Sequence, residues 1–218
     1  HKALRNMQDT SQIQLPPVDL ETITAIHDSA SLNLTIVRPK GANSRTPAFI
    51  YVGGGGWVMG DYSTSAWVVQ NLVRDSGATA IFVNYSKAPE ERFPTALHEI
   101  YAAAKWAFEN SEQLRIDNNR LAIVGESSGA NLATAVCLLC QKKQEIKFRL
   151  QILMCPVVND DFSTPSYQKY SEGLHFTAEL LKWCLEQYLP DPESRNDPLA
   201  LPLRAPLELL KGMPLTLI

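Results

Sequence analysis

Residues 121–136 read LAIVGESSGANLATAV, an apolar β-type run that passes through Gly125-Glu126-Ser127-Ser128-Gly129 into an Ala- and Leu-rich helical pattern. The G-x-S-x-G spacing alone is not specific, and its setting gives it meaning. A serine in the tight turn between a strand and a helix must adopt a strained backbone, and small residues two positions to either side keep the neighbouring backbones from colliding. Gly125 and Gly129 supply that room. The helix that follows points its N-terminus at the serine, so the Ser128 amide faces the place where an oxyanion would form, aided by the helix dipole. Ser127 is thereby presented as a nucleophile. Ser128 competes with it, and both serines could instead cap the helix. Only Ser127 has glycines at both flanking positions.

Working outward, short β-branched runs recur at residues 21–26, 32–37, 48–52, 79–84, 150–154 and 214–218. From residue 48 onward helical patterns fall between them, including 94–110, with Leu97, Ile100, Ala104, Ala107 and Phe108 at helical spacing, and 128–141. That alternation predicts an α/β fold with a mainly parallel sheet covered on both faces. The first two runs, joined by HDSAS, read as an antiparallel hairpin at one edge. Two stretches break the alternation, 1–20 and 156–205. Within the second, TAELLKWCLEQYL (177–189) predicts a helix started by Thr177 and stopped by Pro190, with Leu180, Leu181, Cys184, Leu185 and Tyr188 on one face. Such a helix could be a lid or an ordinary crossover.

A second chemical signal is YVGGGGWVMGD (51–61), four glycines after the third run. Bare backbone amides suit an anion, either a phosphate or the oxyanion of a tetrahedral intermediate. A phosphate loop needs Lys with Ser or Thr behind the glycines, and Trp57, Val58 and Met59 stand there. No G-x-G-x-x-G opens a helix at this point, which argues against a dinucleotide. A flexible loop is the plain alternative.

Composition fits these readings. An apolar fraction of 45% in 218 residues can bury the core of a single domain spanning 1–218, and a net charge of -3 without a basic block points away from nucleic acid and towards a small-molecule partner. No run is long enough to span a bilayer, and the opening residues lack the apolar region of a signal peptide. Cys137, Cys140, Cys155 and Cys184 do not form a disulfide framework, so a reducing, cytoplasmic location is the expectation. The C-x-x-C at Cys137 and Cys140 lies inside an apolar helix and reads as core. Nothing calls for a metal or cofactor.

The order GGGGW (53–57), YSKAPEERFPTAL (85–97), GESSGANLA (125–133) resembles the hormone-sensitive-lipase family of esterases, whose motifs run HGGGW, Y-R-L-A-P-E and GDSAGG. Residues 155–173 and 197–214 are similar to its acetyl-esterase-like members. The resemblance implies an α/β-hydrolase fold and a serine carboxylesterase acting on small esters. It also implies oxyanion-hole amides from Gly55, Gly56 and Ser128, and a cap over an acyl pocket from about 1–20 and 156–205. Glu90 would be structural, in agreement with its reading as a turn carboxylate. An amidase or deacetylase on the same scaffold fits the same motifs. So does a non-catalytic small-molecule receptor, since plant gibberellin receptors resemble this family too.

The sequence departs from the family at Gly53, where relatives have His; an extra glycine raises the entropy cost of ordering the loop. The triad acid and histidine are expected beyond Ile218, because in this fold they follow the serine in the chain. Of the four histidines only His175 follows Ser127, and it falls in the expected cap. Asp160 and Asp161 come one strand too early and read as turn carboxylates.

Overall fold

The computed structural model describes residues 14–173 and 176–218. Residues 1–13 of the expected cap and His175 therefore lie outside the described residues. The edge hairpin forms as the sequence implied. Strand β1 (Val18–His27) pairs antiparallel with β2 (Ala30–Pro39), from Val18 opposite Pro39 to His27 opposite Ala30. Its two-residue turn places Asp28 and Ser29 at φ +47° and +68°, the left-handed pair that a tight hairpin turn needs and that Asp tolerates well.

Strand β2 runs antiparallel to β4 (Thr79–Val83), and the rest of the sheet is parallel. Strand β3 (Thr46–Val52) lies between β4 and β5 (Ile116–Glu126); β6 (Leu150–Met154) follows β5, and β7 (Leu215–Leu217) follows β6. Among the described residues the strand order is β1-β2-β4-β3-β5-β6-β7. In β3, Ala48, Ile50 and Val52 pack into one core while Phe49 and Tyr51 pack into the other, so the strand's continuous apolar run reflects burial on both faces.

Three helices bridge the inner strands: α1 (Tyr62–Ser76), α2 (Thr95–Glu109) and α3 (Ser128–Lys143). Helix α1 covers one face through Val69 and Val73, and the other two cover the opposite face. Helix α3 is buried from Ser128 to Cys140, which explains an apolar pattern that runs all round it. Its Cys137 and Cys140 are buried free thiols, and burial raises the pKa of both, Cys140 to about 12. The sequence reading did not single out α1, although its signals are present. Asp61 accepts from the Ser63 amide at 2.8 Å, Thr64 Oγ1 accepts from the Asp61 amide at 3.2 Å, and Gly77 ends the helix at φ +69°.

Beyond β6 the chain forms short helix α4 (Pro165–Lys169), helix α5 (Ala178–Tyr188), single turns at Glu193–Asn196 and Pro202–Arg204, and helix α6 (Leu207–Leu210) before β7. Thr177 caps α5 by accepting from the Leu180 amide, and Leu181, Cys184, Leu185 and Tyr188 are its buried face. Among the described residues no helix is long and apolar enough to cross a membrane.

Candidate active site

The parallel strands β3 and β5 end side by side, Val52 opposite Gly125, and both candidate motifs grow from these ends. Strand β5 ends at Glu126 and α3 begins at Ser128, so Ser127 alone makes the reversal, at φ +53° and ψ −118°. A non-glycine residue in that conformation carries about 1–3 kcal/mol of strain, so its surroundings must hold it. Its amide donates to the Met154 carbonyl at 2.8 Å, and its carbonyl accepts from Ala130 and Asn131 at 3.0 and 3.1 Å. The flanking glycines are fixed by contact. A Cβ on Gly125 would lie 2.5 Å from the Gly129 carbonyl oxygen, and one on Gly129 would lie 2.1 Å from that of Val52.

The two serines differ in access. Ser127 is half-buried, whereas Ser128 is fully buried. Of the pair, only Ser127 is partly exposed. The backbone amide of Ser128 remains a first-turn amide without a helical acceptor.

The Gly53–Gly56 loop passes directly against this turn, since a Cβ on Gly54 would sit 3.3 Å from the Ser127 Cβ. Gly55 and Gly56 adopt φ +125° and +61°. Side chains there would strike the Met59 carbonyl oxygen at 2.3 Å and the Cys184 Sγ at 2.7 Å. Within the loop the Gly55 carbonyl accepts from Val58 and Met59. Among the described residues no backbone bond of the loop uses the Gly55 or Gly56 N–H. These two amides thus have no backbone acceptor among the described residues, in a loop whose Gly54 lies against the strained serine at the head of α3.

Side chains that the sequence reading did not connect hold this arrangement. Trp57, itself at φ +61°, stacks on Tyr188 of α5 with ring centroids 5.0 Å apart, and its Nε1 donates to Asn131 Oδ1 at 3.3 Å. Asn131 Nδ2 in turn donates to the carbonyls of Val157 and Ala200, at 2.9 and 2.8 Å. A fully buried Asn in an otherwise apolar helix was the available signal, because such an amide must find partners. Tyr85 donates its hydroxyl to the Gly53 carbonyl at 3.0 Å.

The carboxylates read as structural are spread out. Glu90 is exposed in a turn. Asp161 accepts from the amide and hydroxyl of Ser163, an ordinary turn. Asp160 is more than a turn residue, pairing with Arg204 at 2.7 Å across the segment. Among the described residues no histidine contact involves Ser127: His27 lies 3.6 Å from Glu109 near the hairpin, and His98 is exposed on α2.

Comparison with known proteins agrees with this architecture. The family pattern described as "alpha/beta hydrolase fold" matches residues 49–218. A protein of Acanthamoeba polyphaga mimivirus named as an α/β hydrolase is 35% identical over 217 residues, all of this chain and 62% of its own length. The ethyl acetate hydrolase of Pseudomonas putida is 38% identical over 157 residues, 72% of this chain and 49% of the relative. The chain thus spans about half to two thirds of these curated relatives. The crystal structure of a thermostable esterase from Pseudomonas putida superposes with a TM-score of 0.94 at 34% identity, covering 99% of this chain and 67% of that one. With its strand order, its serine turn and its glycine loop in place, the chain belongs to the hormone-sensitive-lipase-type, acetyl-esterase-like family of α/β-hydrolases.

Proposed function

We propose that the protein is a serine carboxylesterase that cleaves short-chain acyl esters, with Ser127 as nucleophile and with the triad acid and histidine supplied by sequence beyond Ile218. The observation that carries this reading is the strained, accessible Ser127 at the head of α3 with the glycine loop against it. The Ser127 hydroxyl attacks the ester carbonyl and passes its proton to the histidine. The carbonyl oxygen becomes an oxyanion, held by the amides of Gly55, Gly56 and Ser128. Collapse breaks the ester bond, the alcohol leaves with the histidine's proton, and water then releases the acid from Ser127 by the same steps.

Residues 156–205 would form the cap, a reading supported by Cys184 and Tyr188 lying on Gly56 and Trp57. The short-acyl preference draws on the ethyl acetate hydrolase among the relatives. In the full-length protein, Ser127→Ala is expected to lower kcat on a short-chain p-nitrophenyl ester by about 10^4-fold or more. Hydrolysis at the wild-type rate by that variant would falsify the assignment. Comparing acetyl esters with the matching anilides separates an esterase from an amidase.

A further inference from the structure

The four glycines of the loop differ in what surrounds them. At Gly53 the position where a side chain would begin is taken: a Cβ would lie 3.1 Å from the Ser65 hydroxyl and 3.2 Å from the Phe82 ring. A side chain there would have to push these two neighbours aside by a few tenths of an ångström, and the glycine that stands there holds the loop only through its backbone. The Gly53 carbonyl is the group that does this, accepting from a Tyr85 hydroxyl on a side chain only 4% exposed.

Tyr85 is itself clamped by Lys87. The Lys87 ammonium lies 3.3 Å from the centroid of the Tyr85 ring and donates to the Tyr85 carbonyl at 2.5 Å. A cation over the face of a buried ring holds the ring plane, and the second bond holds its backbone. Glu99 of α2 and Asp61 at the head of α1 are the carboxylates that act on this ammonium. Glu99 is also engaged by Ser86, whose amide and hydroxyl donate to it at 2.6 and 2.7 Å.

We propose that Tyr85, steadied by Lys87, is the positioning residue of the glycine loop, setting the place of Gly53 and with it the aim of the Gly55 and Gly56 amides at the developing oxyanion. The inference rests on the serine-esterase reading above. Burial lowers the Lys87 pKa to about 8, against the opposing pull of Glu99 and Asp61, so the ammonium that clamps Tyr85 is lost just above neutrality. Burial raises the pKa of Tyr85, which stays protonated over the same range.

The test uses the full-length protein and a short-chain p-nitrophenyl ester, with phenylboronic acid as a tetrahedral-adduct inhibitor. Tyr85→Phe is expected to lower kcat about tenfold with KM unchanged, and to weaken boronate binding by a similar factor. Lys87→Leu is expected to lower kcat about threefold and to remove the decline in rate above pH 8. Lys87→Arg, whose charge persists, restores most of the rate and also removes that decline. Wild-type kcat and boronate affinity in Tyr85→Phe overturn the proposal. Should Tyr85→Phe fail to fold, a Lys87→Leu protein with unchanged kcat and an unchanged alkaline limb overturns it instead. Ser127→Ala in the same assay tells the two failures apart. Activity that survives it overturns the esterase reading and this inference together. Activity lost in Ser127→Ala but intact in Tyr85→Phe overturns only the positioning role.

Discussion

The turn at Ser127 and the Gly53–Gly56 loop touch each other, yet they are held by different means. The turn is fixed by backbone against backbone: Gly125 and Gly129 face main-chain atoms at 2.5 Å and 2.1 Å, which have nowhere to go. The two ends of the loop are held by side chains arriving from elsewhere, Tyr85 onto Gly53 and Asn131 onto Trp57. A backbone clash restricts the residue type at its own position, whereas a side-chain anchor restricts the residue at a distant one. The first kind of restraint leaves a local motif in the sequence, and the second leaves almost none.

The sharpest way to break that contrast is to add one methyl group to each region. Gly129→Ala is expected to cost about 3 kcal/mol or more in urea unfolding, because the new Cβ meets the Val52 and Gly53 carbonyl oxygens at 2.1 and 2.5 Å. Gly53→Ala meets only side-chain atoms, at 3.1 and 3.2 Å, and is expected to cost about 1 kcal/mol. Equal costs at the two positions would dissolve the distinction.

Removing a distant anchor should cost somewhat less than the Gly129 clash. Asn131→Ala strips the carbonyls of Val157 and Ala200 and the indole N–H of Trp57 of their partner in a buried site, an expected loss of about 2–3 kcal/mol. A loss below about 0.5 kcal/mol would mean that these groups find other partners and that the side-chain anchor is dispensable.

The smallest effect concerns Lys87, whose pKa in the folded protein, about 8, is below its ordinary 10.5. The folded state therefore binds this proton less well than the unfolded state, and stability rises as pH climbs from about 8 towards 10.5. At neutral pH the charged ammonium is a net cost of about 1–2 kcal/mol after allowance for partial solvent screening. Lys87→Leu should raise the urea midpoint at pH 7 and flatten its rise between pH 8 and 10. A wild-type pH dependence in that variant would show that the ammonium is not desolvated.

These differences account for what could be read from the chain alone. The parallel sheet, the edge hairpin, α2, α3 and the capped helix α5 all follow from periodicity and end signals, which are local. The Ser127 turn could be read for the same reason. Helix α1 went unmarked because its apolar positions are interrupted by Ser65 and Gln70, polar residues that the fold nonetheless buries. The Asp160–Arg204 pair, the contacts of Asn131 and the bond from Tyr85 to Gly53 join residues far apart in the chain, so no spacing rule announces them. Gly53 is the instructive case. In the sequence it is a missing histidine, and in the structure it is a position where Phe82 and Ser65 crowd the place at which a side chain would begin.

One buried amide has a consequence for how this fold can vary. The Nδ2 group of Asn131 holds the carbonyls of Val157 and Ala200 at once, so the two ends of the segment between them are fastened to α3 at a single clasp. A loop whose ends are tied together can change length at small entropic cost, since closure depends only weakly on the number of residues enclosed. Length can therefore change within the segment at little cost, provided that whatever stands there still presents the partners that Cys184 and Tyr188 offer to Gly56 and Trp57.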